Sequence, residues 1–404
     1  MKIRLFAENY YRGGVDTFIV TLINSWPYDA DEFTLVCNAD HPGLNDIREK
    51  LRRQCRIKTH RVATYAGFAT VMRQSLILNA LRRVISPVIR YLFLAYAIRE
   101  LRPLLCDGSA ERLMVINGGY PGGDTCRAAG ITWGRYSGKP ASIHNFHNFA
   151  SSPGRFSRMQ ENVVDALLVR HTKAFVTVSQ AAARSMTFRP AIPLEMVLHI
   201  YNGIECSGKQ AEDNVFHGEL GLSGDSPICL MLGTYEPRKG HWFLFQVFRH
   251  VVKQVPQAHL VICGHGSAKE VAAVEKMVTE LGLEKKVSLL GFRSDAMRLL
   301  QQADLLLVGS QECESFGLTC VEAMAHRIPV VATRVGGLPE VVADGEGGFT
   351  FEKDDVEGYA RQVTALLLDD HLRSEQGNKG FERYTRLFTA QRMAEEYAET
   401  VRSE

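Results

Sequence analysis

Short apolar runs alternate with longer amphipathic ones along most of the chain. Ile3 to Ala7, Phe33 to Cys37, Leu113 to Ile116, Ala174 to Val178 and Val197 to Tyr201 read as strands. Thr17 to Trp26 and Gly154 to His171, lying between them, have helical spacing. Repeated strand, helix, strand predicts a parallel sheet wrapped by helices. Residues 206 to 227 break this rhythm. Cys206-Ser207-Gly208-Lys209-Gln210-Ala211-Glu212-Asp213-Asn214 is polar and aperiodic, and reads as a linker. The alternation resumes at Ile228 to Leu232 and runs on through His259 to Cys263, Val287 to Leu290, Asp304 to Val308 and Val330 to Ala332. Trp242 to Val255, Lys269 to Leu281 and Leu318 to His326 are the helical segments between. The pattern predicts two doubly wound α/β domains, residues 1–206 and 207–387. Ligands of such sheets bind at the carboxyl ends of the strands, so the loops there are where chemistry is sought.

A chain of 404 residues suits two domains, and 46% hydrophobic content excludes a disordered one. Nine cysteines lie scattered from Cys37 to Cys320, with no CxxC pair and no zinc-site spacing. They read as reduced core residues of a cytoplasmic protein. The apolar run after Met1 is too short for a signal-peptide core and reads as a first strand. Val84 to Ile98, the longest apolar stretch, is interrupted by Ser86, Pro87 and Arg90, which argues against a transmembrane helix.

The net charge of +2 hides an asymmetry. Residues 48–102 hold 13 Lys or Arg and two acids, a local +11, so the remainder sums to −9. Phe68, Met72, Leu76, Leu78, Leu81, Val84, Ile85, Tyr91, Leu92 and Phe93 are interleaved with these cations. A basic amphipathic helix of this kind suits an anionic membrane surface. The alternative is a solvated outer face of core helices. No stacking platform or recognition motif points to nucleic acid.

Four motifs follow strands in the second half. Gly233-Thr234-Tyr235-Glu236-Pro237-Arg238-Lys239-Gly240 sets two cations at a strand-to-helix junction, as a phosphate-bearing ligand requires, though a solvated basic turn has the same composition. Glu314-Ser315-Phe316-Gly317-Leu318-Thr319-Cys320-Val321-Glu322 puts two glutamates eight apart. A helix beginning near Gly317 offers free N–H groups to an anion, and Glu322, one turn inside, can accept both hydrogen bonds of a diol. Arg334-Val335-Gly336-Gly337-Leu338-Pro339-Glu340 allows close backbone approach through its paired glycines. Cys263-Gly264-His265-Gly266-Ser267 lacks the third glycine of a dinucleotide fingerprint, because Lys269 stands there. In the first half, Gly13-Gly14-Val15-Asp16 follows the first strand, with Asp16 placed either for an acceptor or as a helix cap. Asn117-Gly118-Gly119-Tyr120-Pro121-Gly122-Gly123 is a second glycine-rich loop after a strand, and Ser142 to Asn148 closes another strand with two histidines.

In this order and spacing, residues 230–349 resemble the nucleotide-sugar-binding half of family 4 of the retaining glycosyltransferases. Tyr201-Asn202-Gly203-Ile204 is similar to the strand-end motif that precedes that half, and the first half resembles the family more loosely. The resemblance implies the GT-B fold: α/β, two doubly wound Rossmann-like domains facing a central cleft. A last helix, about residues 388–404, would cross back to the first domain, and the domains would close by hinge motion near residues 205–227. The implied donor is a nucleotide-diphosphate sugar, with no cofactor and no metal. Arg238 and Lys239 would contact the diphosphate beside Gly233, Glu314 the transferred sugar, and Glu322 the ribose. Backbone of Phe316, Gly317 and Leu318 would meet sugar and phosphates, and Gly291 and Phe292 would lie near the base. Gly13 and Gly14 would close over the donor, and His144 would reach the transferred sugar. Asp16, Asn117, Gly118, Gly119 and Tyr120 would face the acceptor, a glycan or a lipid-linked molecule. The family commonly has Arg where Thr234 stands, and Arg238 is the expected substitute. The implied activity is retaining, metal-independent transfer in cell-surface polysaccharide or glycolipid synthesis, on the inner face of the membrane. An epimerase or hydrolase of the same fold, or a non-catalytic membrane-associated sugar-nucleotide binder, remains the alternative.

Overall fold

The computed structural model describes residues 1–155, 157–206 and 215–403. Most of the expected linker, residues 207–214, lies outside them, as do the side chains of Leu81 and Val84. The chain divides into two units, Met1–Asn202 with Ala390–Glu404, and Gly203–Thr389.

The first unit is built on a parallel sheet of seven strands in the order β3-β2-β1-β4-β5-β6-β7. The strands are β1 (Lys2–Ala7), β2 (Glu32–Asn38), β3 (Cys55–His60), β4 (Arg112–Asn117), β5 (Ser142–Phe146), β6 (Thr172–Thr177) and β7 (Val197–His199). Its helices are α1 (Gly14–Asn24), α2 (Leu44–Lys50), α3 (Tyr65–Met72), α4 (Leu76–Leu105), α5 (Asp124–Tyr136), α6 (Arg158–Val169) and α7 (Gln180–Ser185). The sheet is apolar on both faces because helices cover both. Ile3 and Leu5 of β1 pack on the α1 side, while Phe6 packs on the α4 and α5 side. Strand alternation does this sorting, and the same rule decides the fate of a candidate histidine below.

The second unit has a parallel sheet of six strands in the order β10-β9-β8-β11-β12-β13. They are β8 (Ile228–Leu232), β9 (His259–Cys263), β10 (Val287–Leu289), β11 (Leu305–Val308), β12 (Val330–Thr333) and β13 (Gly348–Phe351). The helices are α8 (Val215–Glu219), α9 (His241–Gln254), α10 (Ala268–Glu280), α11 (Ala296–Gln301), α12 (Leu318–Ala325), α13 (Leu338–Val341), α14 (Val356–Leu368) and α15 (Asp370–Leu387). Phe243, Leu244, Val247, Phe248 and Val251 of α9 recur at helical spacing and are all buried. Ser267 and Glu270 form a reciprocal cap that starts α10 just after β9.

The last helix, α16 (Ala390–Arg402), returns to the first unit. Its buried residues Met393, Ala394, Tyr397, Ala398 and Val401 form one stripe. Tyr397 meets Phe18 of α1 at 5.3 Å between ring centres, and its hydroxyl accepts from Asn145 Nδ2.

The basic stretch is not one helix. Arg56 and Lys58 lie on β3, and the rest are divided between α2, α4 and the loops. Several cations are engaged: Lys58 with Asp107, Arg90 with Glu161, Arg82 with Asn79, and Arg53 with the carbonyl of Trp26. Phe68 and Phe93 pack on each other at 5.6 Å rather than facing outward. Val71 of α3 and Leu76, Ile77, Val88 and Leu92 of α4 are exposed. Among the described residues no helix is long and apolar enough to cross a membrane.

Candidate functional site

At the carboxyl edge of the second sheet the loops after β8, β9, β10, β11 and β12 interlock. Gly264 N donates to Gly291 O at 2.8 Å, Gln311 N to Arg238 O at 2.8 Å, and Gly337 N to Glu314 O at 2.8 Å. Two glycines make this approach possible. A Cβ on Gly264 would lie 1.7 Å from Gly233 O, and one on Gly240, where φ is +75°, would lie 1.8 Å from Gly309 O.

This weave brings the basic turn to the first glutamate. Lys239 Nζ donates to Glu314 Oε2 at 2.6 Å, with both side chains largely buried. The Lys239 side chain also runs past Gly233, whose added Cβ would stand 3.7 Å from it. Ser310, two residues after β11, points its hydroxyl at the same Glu314 oxygen at 3.4 Å and holds Thr333 Oγ1 through its carbonyl at 2.6 Å. Arg238 is not brought to this pair, since Glu236 holds its guanidinium. The Thr234 hydroxyl is buried with no partner among the described residues.

Gly317, at φ +97°, caps α12. The Phe316 side chain is buried against Phe388, so only its backbone is available to a ligand. Glu322 lies one turn into α12, and burial pushes its carboxyl up from the ordinary 4.5 to about 7. No ion pair among the described residues offsets that burial. The folded state therefore keeps a proton that the unfolded chain loses above 4.5. The contribution of Glu322 to stability falls as pH rises from about 4.5 to 7 and levels off above, opposite in sign to that of the buried histidines held neutral, such as His144 and His241. Glu322→Gln is expected to remove that contribution, so the difference between variant and wild-type melts should change between about pH 4 and 7 and be constant above. Gly291 takes φ +63°, and Phe292 beside it is 75% exposed, with its ring 6.3 Å from His265.

The first unit holds the other candidates at the carboxyl edge of its own sheet. No atom lies within 4 Å of a Cβ built on Gly13 or on Gly118, so both loops border open space. Gly14 opens α1. Gly119 is closer packed, 3.4 Å from Phe149 O by the same measure. Asp16 is a helix cap and not an exposed acceptor contact. It accepts from Asn9 Nδ2 and His41 Nε2 at 2.9 Å each and from Gly13 N at 3.3 Å, and it is buried. Tyr120 is also corrected. It is 2% exposed, its hydroxyl donates to Asp165, and Arg189 stacks over its ring at 4.9 Å. Asn117 is buried, accepting from Gly123 N at 3.3 Å, while its Nδ2 has no partner among the described residues.

His144 is the third correction. Alternation along β5 turns it to the α5 side, where its ring lies 5.9 Å from Phe175 and against Gly130. It is fully buried, and burial lowers its pKa to about 3. The histidine that follows the carboxyl end of β5 is His147, whose ring meets Phe18 of α1 at 4.3 Å. Sequence reasoning also missed Glu8, the residue after β1. It accepts from Thr125 N at 2.8 Å, and burial raises its pKa. Its place straight after a strand was the available signal. Among the described residues no group of three or more His, Cys, Asp or Glu is arranged to hold a metal.

The two Rossmann-like parallel-sheet domains define the GT-B fold. The chain superposes on Anabaena Alr3699/HepE in complex with UDP and glucose with a TM-score of 0.73 at 20% identity, covering 100% of both chains. It superposes on sucrose-phosphate synthase from Thermosynechococcus elongatus with a TM-score of 0.71 at 18% identity, covering 99% and 98%. More particularly, residues 213–383 match the model of the family described as glycosyl transferases group 1. Over 179 residues the chain is 33% identical to N-acetyl-alpha-D-glucosaminyl L-malate synthase of Bacillus anthracis, covering 44% of this chain and 46% of that one. Over 196 residues it is 33% identical to D-inositol 3-phosphate glycosyltransferase of Corynebacterium efficiens, covering 46% of each. The chain thus spans a little under half the length of these relatives.

Proposed function

We propose that the protein is a retaining glycosyltransferase that moves a sugar from a nucleotide-diphosphate sugar to a hydroxyl of a glycan or lipid-linked acceptor. The observation that carries the reading is the Lys239–Glu314 pair at the carboxyl edge of the second sheet, with the half-buried Glu322 one turn into α12. In this reading Lys239 and the free N–H groups of α12 take up the charge that develops on the leaving diphosphate. Glu314 orients the sugar, and Glu322 accepts from the ribose diol. Front-face attack by the acceptor hydroxyl retains the anomeric configuration, with the departing phosphate taking the proton. No metal is required, so transfer persists in EDTA. The match of residues 213–383 supports transfer over epimerisation, and UDP is the first base to test because HepE binds it.

Incubation with UDP-, GDP- and ADP-sugars, with and without a membrane extract, tests the reading. Acceptor-dependent release of one nucleoside diphosphate is expected, and release that needs no acceptor would point to a hydrolase. Arg238 serves the diphosphate when donor binds in place of the pair it now makes with Glu236. Equal donor affinity in wild type and Arg238→Ala would remove it from that role.

The protein works at the inner face of a membrane, in polysaccharide or glycolipid synthesis. Supporting this are the +11 charge of residues 48–102 and the exposed apolar side chains Val71, Leu76, Ile77, Val88 and Leu92. Each cation near an anionic leaflet contributes about 1 kcal/mol. Flotation with vesicles containing phosphatidylserine at low salt is expected, and is lost at high salt. Failure to float at low salt would overturn the membrane assignment alone.

A further inference from the structure

We propose that a cavity in the first unit, bordered by Pro121 and Gly122 of the loop after β4, binds one neutral sugar ring of the acceptor. The inference rests on the transferase reading and adds what the acceptor must present. The cavity has a volume of about 190 Å³. At ~30 Å³ per water that is room for about six waters, the scale of a single pyranose. Tyr65 of α3, Arg90 and Phe93 of α4, Asp124 and Arg127 of α5, and Glu161 of α6 line it. Asp124 opens α5 directly after the loop that follows β4, so the cavity adjoins the edge where the acceptor hydroxyl is expected.

The wall is polar but balanced. Glu161 is buried and accepts from Arg127 Nη1 at 2.6 Å and from Arg90 Nη1 at 3.2 Å. Arg90 lies over the Tyr65 ring at 4.6 Å, and its Nε is buried with no partner among the described residues. Asp124 accepts from Ala66 N at 2.9 Å through one oxygen only. Among the lining side chains two guanidinium groups face two carboxylates and the formal charges cancel; behind them Arg189 is paired with Glu161 and Asp165, and Arg82 donates to the Tyr65 hydroxyl. An anion would gain no net attraction and would sit beside two carboxylates. A hydrocarbon would strip water from Arg90 and Asp124 and return no hydrogen bond. A polyol supplies acceptors to the arginine and donors to the aspartate. Its C–H face suits the aromatic wall of Tyr65 and Phe93, whose rings meet edge to face at 6.2 Å.

Saturation-transfer NMR on the full chain tests this with the methyl glycosides of glucose, galactose, mannose and N-acetylglucosamine. Glucose 1-phosphate and octyl phosphate serve as the anionic and apolar comparators. At least one methyl glycoside should bind while a nucleoside diphosphate saturates the second unit. Its affinity should fall about tenfold in Arg90→Gln and in Phe93→Leu. Both variants should keep the nucleotide-induced thermal shift, which shows that they are folded. Binding of none of the four glycosides, stronger binding of either comparator, or unchanged affinity in both variants would overturn the proposal. Absence of any nucleotide-induced shift would instead count against the transferase reading, and the two failures are separately visible.

Discussion

Lys239→Ala is expected to lower kcat/KM for sugar transfer by about 10²- to 10³-fold, mostly through kcat. The reason lies in the 2.6 Å contact between Lys239 and Glu314. In the proposed reading, removing the ammonium deletes a cation from the place where the leaving diphosphate would gather charge. It also leaves a largely buried carboxylate without its cation there, which would repel the same charge. Glu314→Gln would remove the repulsion but also the group proposed to orient the sugar. Adding Glu314→Gln to Lys239→Ala should therefore cost less than the two single effects combined, a coupling that a double-mutant cycle measures. Arg238→Ala should cost less than Lys239→Ala, since Arg238 must first leave Glu236. Steady-state release of nucleoside diphosphate reads the four variants against wild type. A kcat/KM in Lys239→Ala equal to wild type would take the pair out of the chemistry and reduce it to a loop clasp.

The second unit was legible in the sequence because its loops are short and its strands apolar. Once Leu232, Cys263 and Val308 are read as strand ends, their loops must share one edge of a parallel sheet. The meeting of Lys239 with Glu314 follows from that order, although 75 residues separate them. The first unit misled where alternation decided the outcome. His144 and His147 both stand near the end of one apolar run. Only the period of two, counted from Ile143 on the α1 side, shows that His144 faces α5. Tyr120 misled for another reason. It sits on a glycine loop of the expected kind, but its hydrogen-bond partner, Asp165, is distant in sequence, whereas for Asp16 the local cap was one of the two readings and is the one the structure has. A long-range polar contact leaves no periodic signal. The basic stretch was read as one helix because its charge is continuous, yet charge density carries no information on where β3 ends and α4 begins.

Gly240→Ala is expected to unfold the second unit more easily and to abolish nucleotide binding, whereas Gly282→Ala should do neither to the same degree. The two glycines have nearly the same backbone conformation, φ +75° and +64°. Each replacement incurs the left-handed penalty, of order 1–3 kcal/mol. They differ in what the new methyl meets. At Gly282 nothing lies within 4 Å, while at Gly240 the methyl lies 1.8 Å from Gly309 O and 2.7 Å from its carbonyl carbon. Backbone cannot swing aside as a side chain can, so the loops after β8 and β11 must part. That adds about 1–3 kcal/mol of overpacking. It also draws Lys239, the neighbouring residue, away from Glu314. A melting midpoint about 5–15 °C lower is expected for Gly240→Ala, roughly twice the loss in Gly282→Ala. Nucleoside diphosphate should still shift the melt of Gly282→Ala and leave that of Gly240→Ala unmoved. Equal destabilisation of the two variants, with nucleotide binding kept in both, would mean that the strand-end loops do not depend on the close passage of Gly240 and Gly309.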